Sequence, residues 1–227
     1  MILLALALAP ALAIMIYIYI KDKYEREPIG FLLKNFGLGA TASIIITLII
    51  GTLLQYVFPT ADPLSISQQF FKAFIIVALV EEFSKYIIVI FYAQSHKEFD
   101  EPFDGIVYAV MVSMGFAALE NVSYVFQFGM TNGIVRAFTA VPAHATFGII
   151  MGYYMGKAKF ATSKREKIKM NLIGLFAATL FHGAYDFFLF INFIPGISIG
   201  AFVSLFIGIF LSRKAIKKHQ EISRFKH

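Results

Sequence analysis

The sequence predicts an all-α, polytopic membrane protein of about seven transmembrane helices, N-terminus out and C-terminus in, with a polar site at mid-membrane. Three observations predict it. Hydrophobic residues make up 59% of the 227 residues and charged ones only 15%, with a mean hydropathy of +0.73, which is the composition of a chain solvated by lipid. The apolar runs each approximate one bilayer crossing, and Lys and Arg gather in alternate connections. The charges that do interrupt apolar runs fall at a common depth. The net charge of +6 therefore reads as membrane topology and not as a nucleic-acid surface. The absence of cysteine excludes disulfides and thiolate zinc sites. With no repeat, low-complexity segment or linker, residues 1–227 read as a single membrane domain.

The first span is expected from Ile2 to Ile20. The basic residues Lys21, Lys23 and Arg26 follow it and none precedes it, so the run reads as an outside-to-inside helix and not as a cleaved signal. A second span runs from about Phe36 to Phe58 and ends in an uncharged-by-Lys/Arg loop with Pro59 and Pro63. A third runs from about Ser67 to Gln94. The polar connector His96-Lys97-Glu98-Phe99-Asp100-Glu101-Pro102 leads to a fourth, about Asp104 to Phe128. The uncharged segment Gly129 to Gly133 reads as an outer loop before a fifth, about Ile134 to Gly156. The most basic loop, with Lys157, Lys159, Lys164, Arg165, Lys167 and Lys169, fixes the inner side. A sixth span, about Ile168 to Asn192, turns at Pro195-Gly196, and a seventh, about Ile197 to Leu211, ends in a basic tail. Asp104 reads as a helix N-cap, and Arg136 and Lys72, near helix ends, as snorkelling cations.

Depth singles out the chemistry. Glu81, Glu82 and Lys85 interrupt the third span near its centre, where one ionised side chain costs roughly 2.5 to 3.5 kcal/mol on the insertion scale. At about 1.5 Å per helical residue, Glu120 and Asn121, His144, and His182 with Asp186 lie in the same layer. Small residues at four-residue intervals lead to them: Gly148, Gly152 and Gly156 beyond His144, Gly174 and Ala178 before His182, and Gly105, Ala109, Ser113 and Ala117 before Asn121. Such stripes pack helices closely and turn these polar groups toward neighbouring helices.

Taken singly, His144 reads as interhelical glue and Lys85 as the counter-ion of a glutamate three or four residues before it. Together, Glu81, Glu82, Glu120, His144, His182 and Asp186 read as a functional cavity. A desolvated glutamate can take a proton from water, and histidines or Asn121 can donate to an oxyanion. Two histidines with a glutamate also make a zinc set, for which His144, His182 and Glu120 are the expected ligands. Residue spacing leaves metal-free and metal-assisted hydrolysis both open, and a proton or cation transporter is the rival from another class.

Glu81-Glu82-Phe83-Ser84-Lys85 (EExxK), Phe116-Ala117-Ala118-Leu119-Glu120-Asn121 (FxxxEN) and His182-Gly183-Ala184-Tyr185-Asp186 (HxxxD) together resemble the PrsW family of bacterial intramembrane proteases. The likeness extends to Lys21-Asp22, Phe103-Asp104-Gly105-Ile106-Val107-Tyr108, Val141-Pro142-Ala143-His144 and Met151-Gly152. More distantly the motifs resemble the type II CAAX prenyl endopeptidases and bacteriocin-processing proteins. The resemblance implies a multi-pass enzyme of the bacterial plasma membrane that makes the site-one cut in a single-pass anti-sigma factor during the envelope-stress response. It also implies that Glu81 activates water with Glu82 in support, and that His182 is an oxyanion donor beside Asp186. A divalent metal, zinc, is a possible cofactor. The implied partners are the substrate and the lipid bilayer, with no nucleic acid.

Overall fold

Helix is the only regular structure among the described residues, 2–226, of the computed structural model. That is what lipid demands of a chain that must satisfy its backbone polar groups internally. Helix α1 spans Ile2–Lys21. Helix α2 (Ile29–Leu38) passes through a widened π-type turn, Gly39–Ser43, into α3 (Ile44–Val57). The next run opens with α4 (Ile66–Phe71), capped by Ser65 Oγ on the Gln68 amide, and alternates: a π stretch Lys72–Leu79, α5 (Val80–Ile88), and a second π stretch Val89–Ala93. Then come α6 (Pro102–Phe138), α7 (Ala140–Lys159), α8 (Lys164–Phe190) and α9 (Ile199–Glu221).

Among the described residues, five stretches are long and apolar enough to cross a membrane: Leu3–Lys21, Ile29–Val57, Pro102–Lys159, Lys164–Phe190 and Ile199–Glu221. The third, of 58 residues, is a hairpin. Gly105 faces Gly152 and Gly156, while Gly148 faces Ala109 and Ser113, so α6 and α7 run antiparallel along the small-residue stripes. The same device joins α2 to α6. Gly39 sits on the Val112 carbonyl and Gly115 on that of Phe36, with no room for a Cβ at either position. Large apolar side chains such as Leu48, Phe91 and Phe206 are exposed, as suits surfaces solvated by lipid tails.

Several sequence expectations need correction. Only Gly129 leaves the helix where a loop was expected over Gly129–Gly133; its φ of 80° is open to glycine, and the chain folds back there, bringing Arg136 onto Glu120, as helix resumes to Phe138. Thr139 then makes the turn into α7, which starts at Ala140 and not at Ile134. Asp104 is not the N-cap of α6. Glu101 is, with Asp104 as its reciprocal partner in a capping box. The last helix runs on to Glu221, ten residues past the expected end, because the tail packs on α7: His219 is fully buried and stacked on Tyr153 at 4.4 Å.

Candidate active site

The site begins with how α5 is held. Ser84 Oγ donates to the Glu81 carbonyl at 2.7 Å and lies 2.6 Å from Ser43 Oγ, while Thr47 Oγ1 donates to it at 2.9 Å. This hydroxyl cluster fastens the α5 backbone to the π turn between α2 and α3. π-Type turns flank the charged segment on both sides, a placement common at functional sites. Adjacent residues on a helix diverge by about 100°, so Glu81 and Glu82 enter different surroundings.

Glu82 is fully buried. Its Oε1 lies 2.7 Å from Lys85 Nζ and 2.9 Å from His182 Nδ1. Glu81 lines a cavity of about 550 Å3 with Glu120, His144, His182, Asp186 and Arg136; its Oε2 is 3.6 Å from Lys85 Nζ and 3.9 Å from His182 Nε2. Asp186 Oδ2 stands 3.3 Å from that same His182 nitrogen. On the far wall, His144 Nε2 meets Glu120 Oε2 at 3.0 Å, its Nδ1 is 3.3 Å from Lys85 Nζ, and its carbonyl accepts from Ser113 at 2.7 Å. Phe147 stacks on His182 at 4.8 Å, and Lys85 sits 4.2 Å over the Phe116 ring. The aromatic rings exclude water from one side of each polar group and fix its orientation.

The tertiary structure thus brings Glu81, Glu82, Lys85, Glu120, His144, His182 and Asp186 into one cluster. Asn121 is placed differently. Its amide donates to the Ala7 carbonyl at 2.9 Å and its Oδ1 accepts from Arg136 Nε at 3.0 Å. One of its two amide protons is thus committed to α1 and its oxygen to Arg136, so it tethers α6 to both. Arg136, expected to snorkel, turns inward: its Nη2 pairs with Glu120 at 2.7 Å and its guanidinium lies 3.9 Å over Tyr124. No local sequence signal announced this, because Arg136 reaches Glu120 only through the fold-back at Gly129.

The residues that can hold a metal also differ from expectation. Glu81, His144 and His182 each offer a ligand atom, all within 4.8 Å of one another. Glu120 is outside this set, being taken up by Arg136 and His144. The donors fit a zinc-class ion, which favours imidazole and carboxylate ligands. Glu81 Oε2 is buried and makes no hydrogen bond, its nearest cation being Lys85 Nζ at 3.6 Å, which leaves it free to coordinate a metal. Each histidine has one nitrogen against a carboxylate, His182 Nδ1 on Glu82 and His144 Nε2 on Glu120, the arrangement that orients metal-ligating imidazoles; the other nitrogens face Asp186 Oδ2 and Lys85 Nζ at 3.3 Å each, contacts a bound metal would replace.

Comparison with known proteins gives the class first. The chain is similar to proteins named Protease PrsW from Geobacillus kaustophilus (43% identical, covering 74% of this chain and 71% of that one), Bacillus subtilis (39%; 74% of each) and Clostridioides difficile (37%; 76% and 73%). It is an intramembrane peptidase. Residues 27–212 match the model of the PrsW family intramembrane metalloproteases, and the chain belongs to that family. No solved structure matches it.

Proposed function

We propose that this chain is a multi-pass endopeptidase of the bacterial plasma membrane that makes the first, extracytoplasmic cut in a single-pass anti-sigma factor. One observation carries the reading: Glu81, His144 and His182 converge at a cavity whose lining also includes Lys72, Asn132, Thr139 and Phe190. Those residues adjoin the connections that lack Lys and Arg, which the positive-inside rule assigns to the outer face. The seven-crossing, N-out arrangement is part of the same proposal, with the Ile66–Ala93 run and the two arms of the α6–α7 hairpin each counted as one crossing.

In this reading, a peptide bond enters the cavity from the outer side. Glu82 and Glu120 hold the two imidazoles by one nitrogen each, and Lys85 and Arg136 neutralise those carboxylates. In the metal-free form, His182 presents its Nε2–H edge to the developing oxyanion. Without a metal, Glu81 is the carboxylate that takes the proton from attacking water. When bound to Glu81, His144 and His182, a zinc ion supplies Lewis acidity toward water and the scissile carbonyl. Glu81 is then a ligand.

The test is cleavage of a purified single-pass substrate in detergent or proteoliposomes. Glu81→Gln and His182→Ala should each abolish cutting while the protein stays folded, and undiminished cleavage by both would sink the assignment. Ion flux through proteoliposomes without any cleavage would favour a transporter instead. Metal content, with activity before and after chelation, separates the two roles of Glu81.

A further inference from the structure

At the opposite end of the molecule from the cavity lies a second group of carboxylates that the peptidase chemistry does not use. Glu25 and Glu27, in the connector between α1 and α2, and Asp104, in the first turn of α6, each offer an oxygen within 4.8 Å of the others. Glu27 is 2% exposed and Asp104 0%. Asp104 Oδ2 accepts from the Asp100 and Glu101 amides at 2.7 Å each, and Glu27 Oε2 accepts from the Tyr108 hydroxyl. Their other oxygens, Asp104 Oδ1 and Glu27 Oε1, are buried with no hydrogen-bond partner.

No Lys, Arg or His pairs with any of the three among the described residues. The nearby cations are engaged elsewhere: Arg224 with Asp100 at 2.7 Å, Lys97 with Glu98 at 3.4 Å, Lys159 with the Gln94 carbonyl at 2.6 Å, and Arg26 over the Tyr19 ring. Buried carboxylates without a countercharge are strongly destabilising. The orphaned oxygens call for something positive between them.

We propose that Glu25, Glu27 and Asp104 form a second, non-catalytic site for a hard divalent cation of the magnesium, manganese or calcium class, clamping the 22–28 connector to the start of α6. The donor set is all oxygen, which suits hard cations and not the softer zinc class of the histidine centre. Glu25, half-buried, leaves the site open for the ion to enter and to retain water.

The chain has no tryptophan, so tyrosine excitation can sensitise bound terbium, and Tyr108 touches Glu27. Full-length protein in detergent, stripped with chelator, is titrated with Tb3+ and then with Mg2+, Mn2+ and Ca2+ as competitors. One saturable Tb3+ site is expected, equally in wild type and in Glu81→Gln, displaced by the divalent ions and weakened at least tenfold in Glu25→Gln. The divalent ions should also raise the melting temperature of wild type and leave that of Glu25→Gln unmoved. Glu27→Gln is the second variant, should Glu25 contribute only weakly. Three results would overturn the proposal: Tb3+ binding unchanged in both variants, loss of the signal in Glu81→Gln, or a melting temperature indifferent to divalent ions, which would leave only a proton shared between Glu27 and Asp104.

Discussion

His182 Nδ1 lies 2.9 Å from Glu82 Oε1 although a hundred positions separate them in the chain, and this contact makes the two glutamates of α5 unequal. Glu82 is fully enclosed and holds both His182 and Lys85; Glu81 faces the cavity. Glu81→Gln should therefore abolish cleavage with little change in melting temperature. Glu82→Gln should cost both activity and stability, since stripping one partner from a buried ion pair costs about 3–5 kcal/mol. Cleavage assays alongside thermal unfolding check this, and equal loss of stability in the two variants would contradict it.

Arg136 pairs with Glu120, which in turn holds His144. Arg136→Ala should lower kcat by roughly 10- to 100-fold, the range seen when partners that orient site ligands are removed. Arg136→Lys should recover part of it, because a lysine keeps the charge toward Glu120 and loses the second bond, from Nε to Asn121 Oδ1. Full activity in Arg136→Ala would assign this residue to the surface role that its position in the sequence suggested.

Gly152 packs directly on the backbone of Gly105 and Ile106. Gly152→Ala should destabilise the α6–α7 hairpin by about 1–3 kcal/mol through overpacking. Gly30→Ala should be harmless by comparison, since a Cβ there meets nothing within 4 Å. Unfolding midpoints of the two variants measure the contrast.

Chelation should abolish cleavage and zinc should restore it, with His144→Ala losing the bound metal in elemental analysis. Activity that survives exhaustive chelation would return Glu81 to the role of proton acceptor.

Asp22, fully buried at the start of the connector, accepts the Glu27 amide at 3.2 Å. Burial raises its carboxyl from 3.8 to about 7. The folded state thus binds this proton more tightly than the unfolded chain, so the stability it contributes is complete below pH 3.8 and is lost as pH rises through about 7. In chelator, Asp22→Asn should flatten the fall in melting temperature across that window. Parallel wild-type and variant curves would assign the pH dependence to other groups.

The chain alone determined the helical class, the depth shared by the polar residues and the glycine faces along which α6 and α7 meet. These are properties of local composition and period, written into every apolar run and every four-residue stripe. The family resemblance, too, was legible from three motifs in order. Only the tertiary structure brings a Glu81 oxygen within 4.8 Å of ligand atoms of both histidines, commits one Asn121 amide proton to the Ala7 carbonyl, and folds Arg136 inward onto Glu120. Each of those outcomes depends on which side chain reaches an atom first across helices far apart in sequence. The fold-back at Gly129 and the π turns around α5 set those reaches, and helical periodicity carries no record of either.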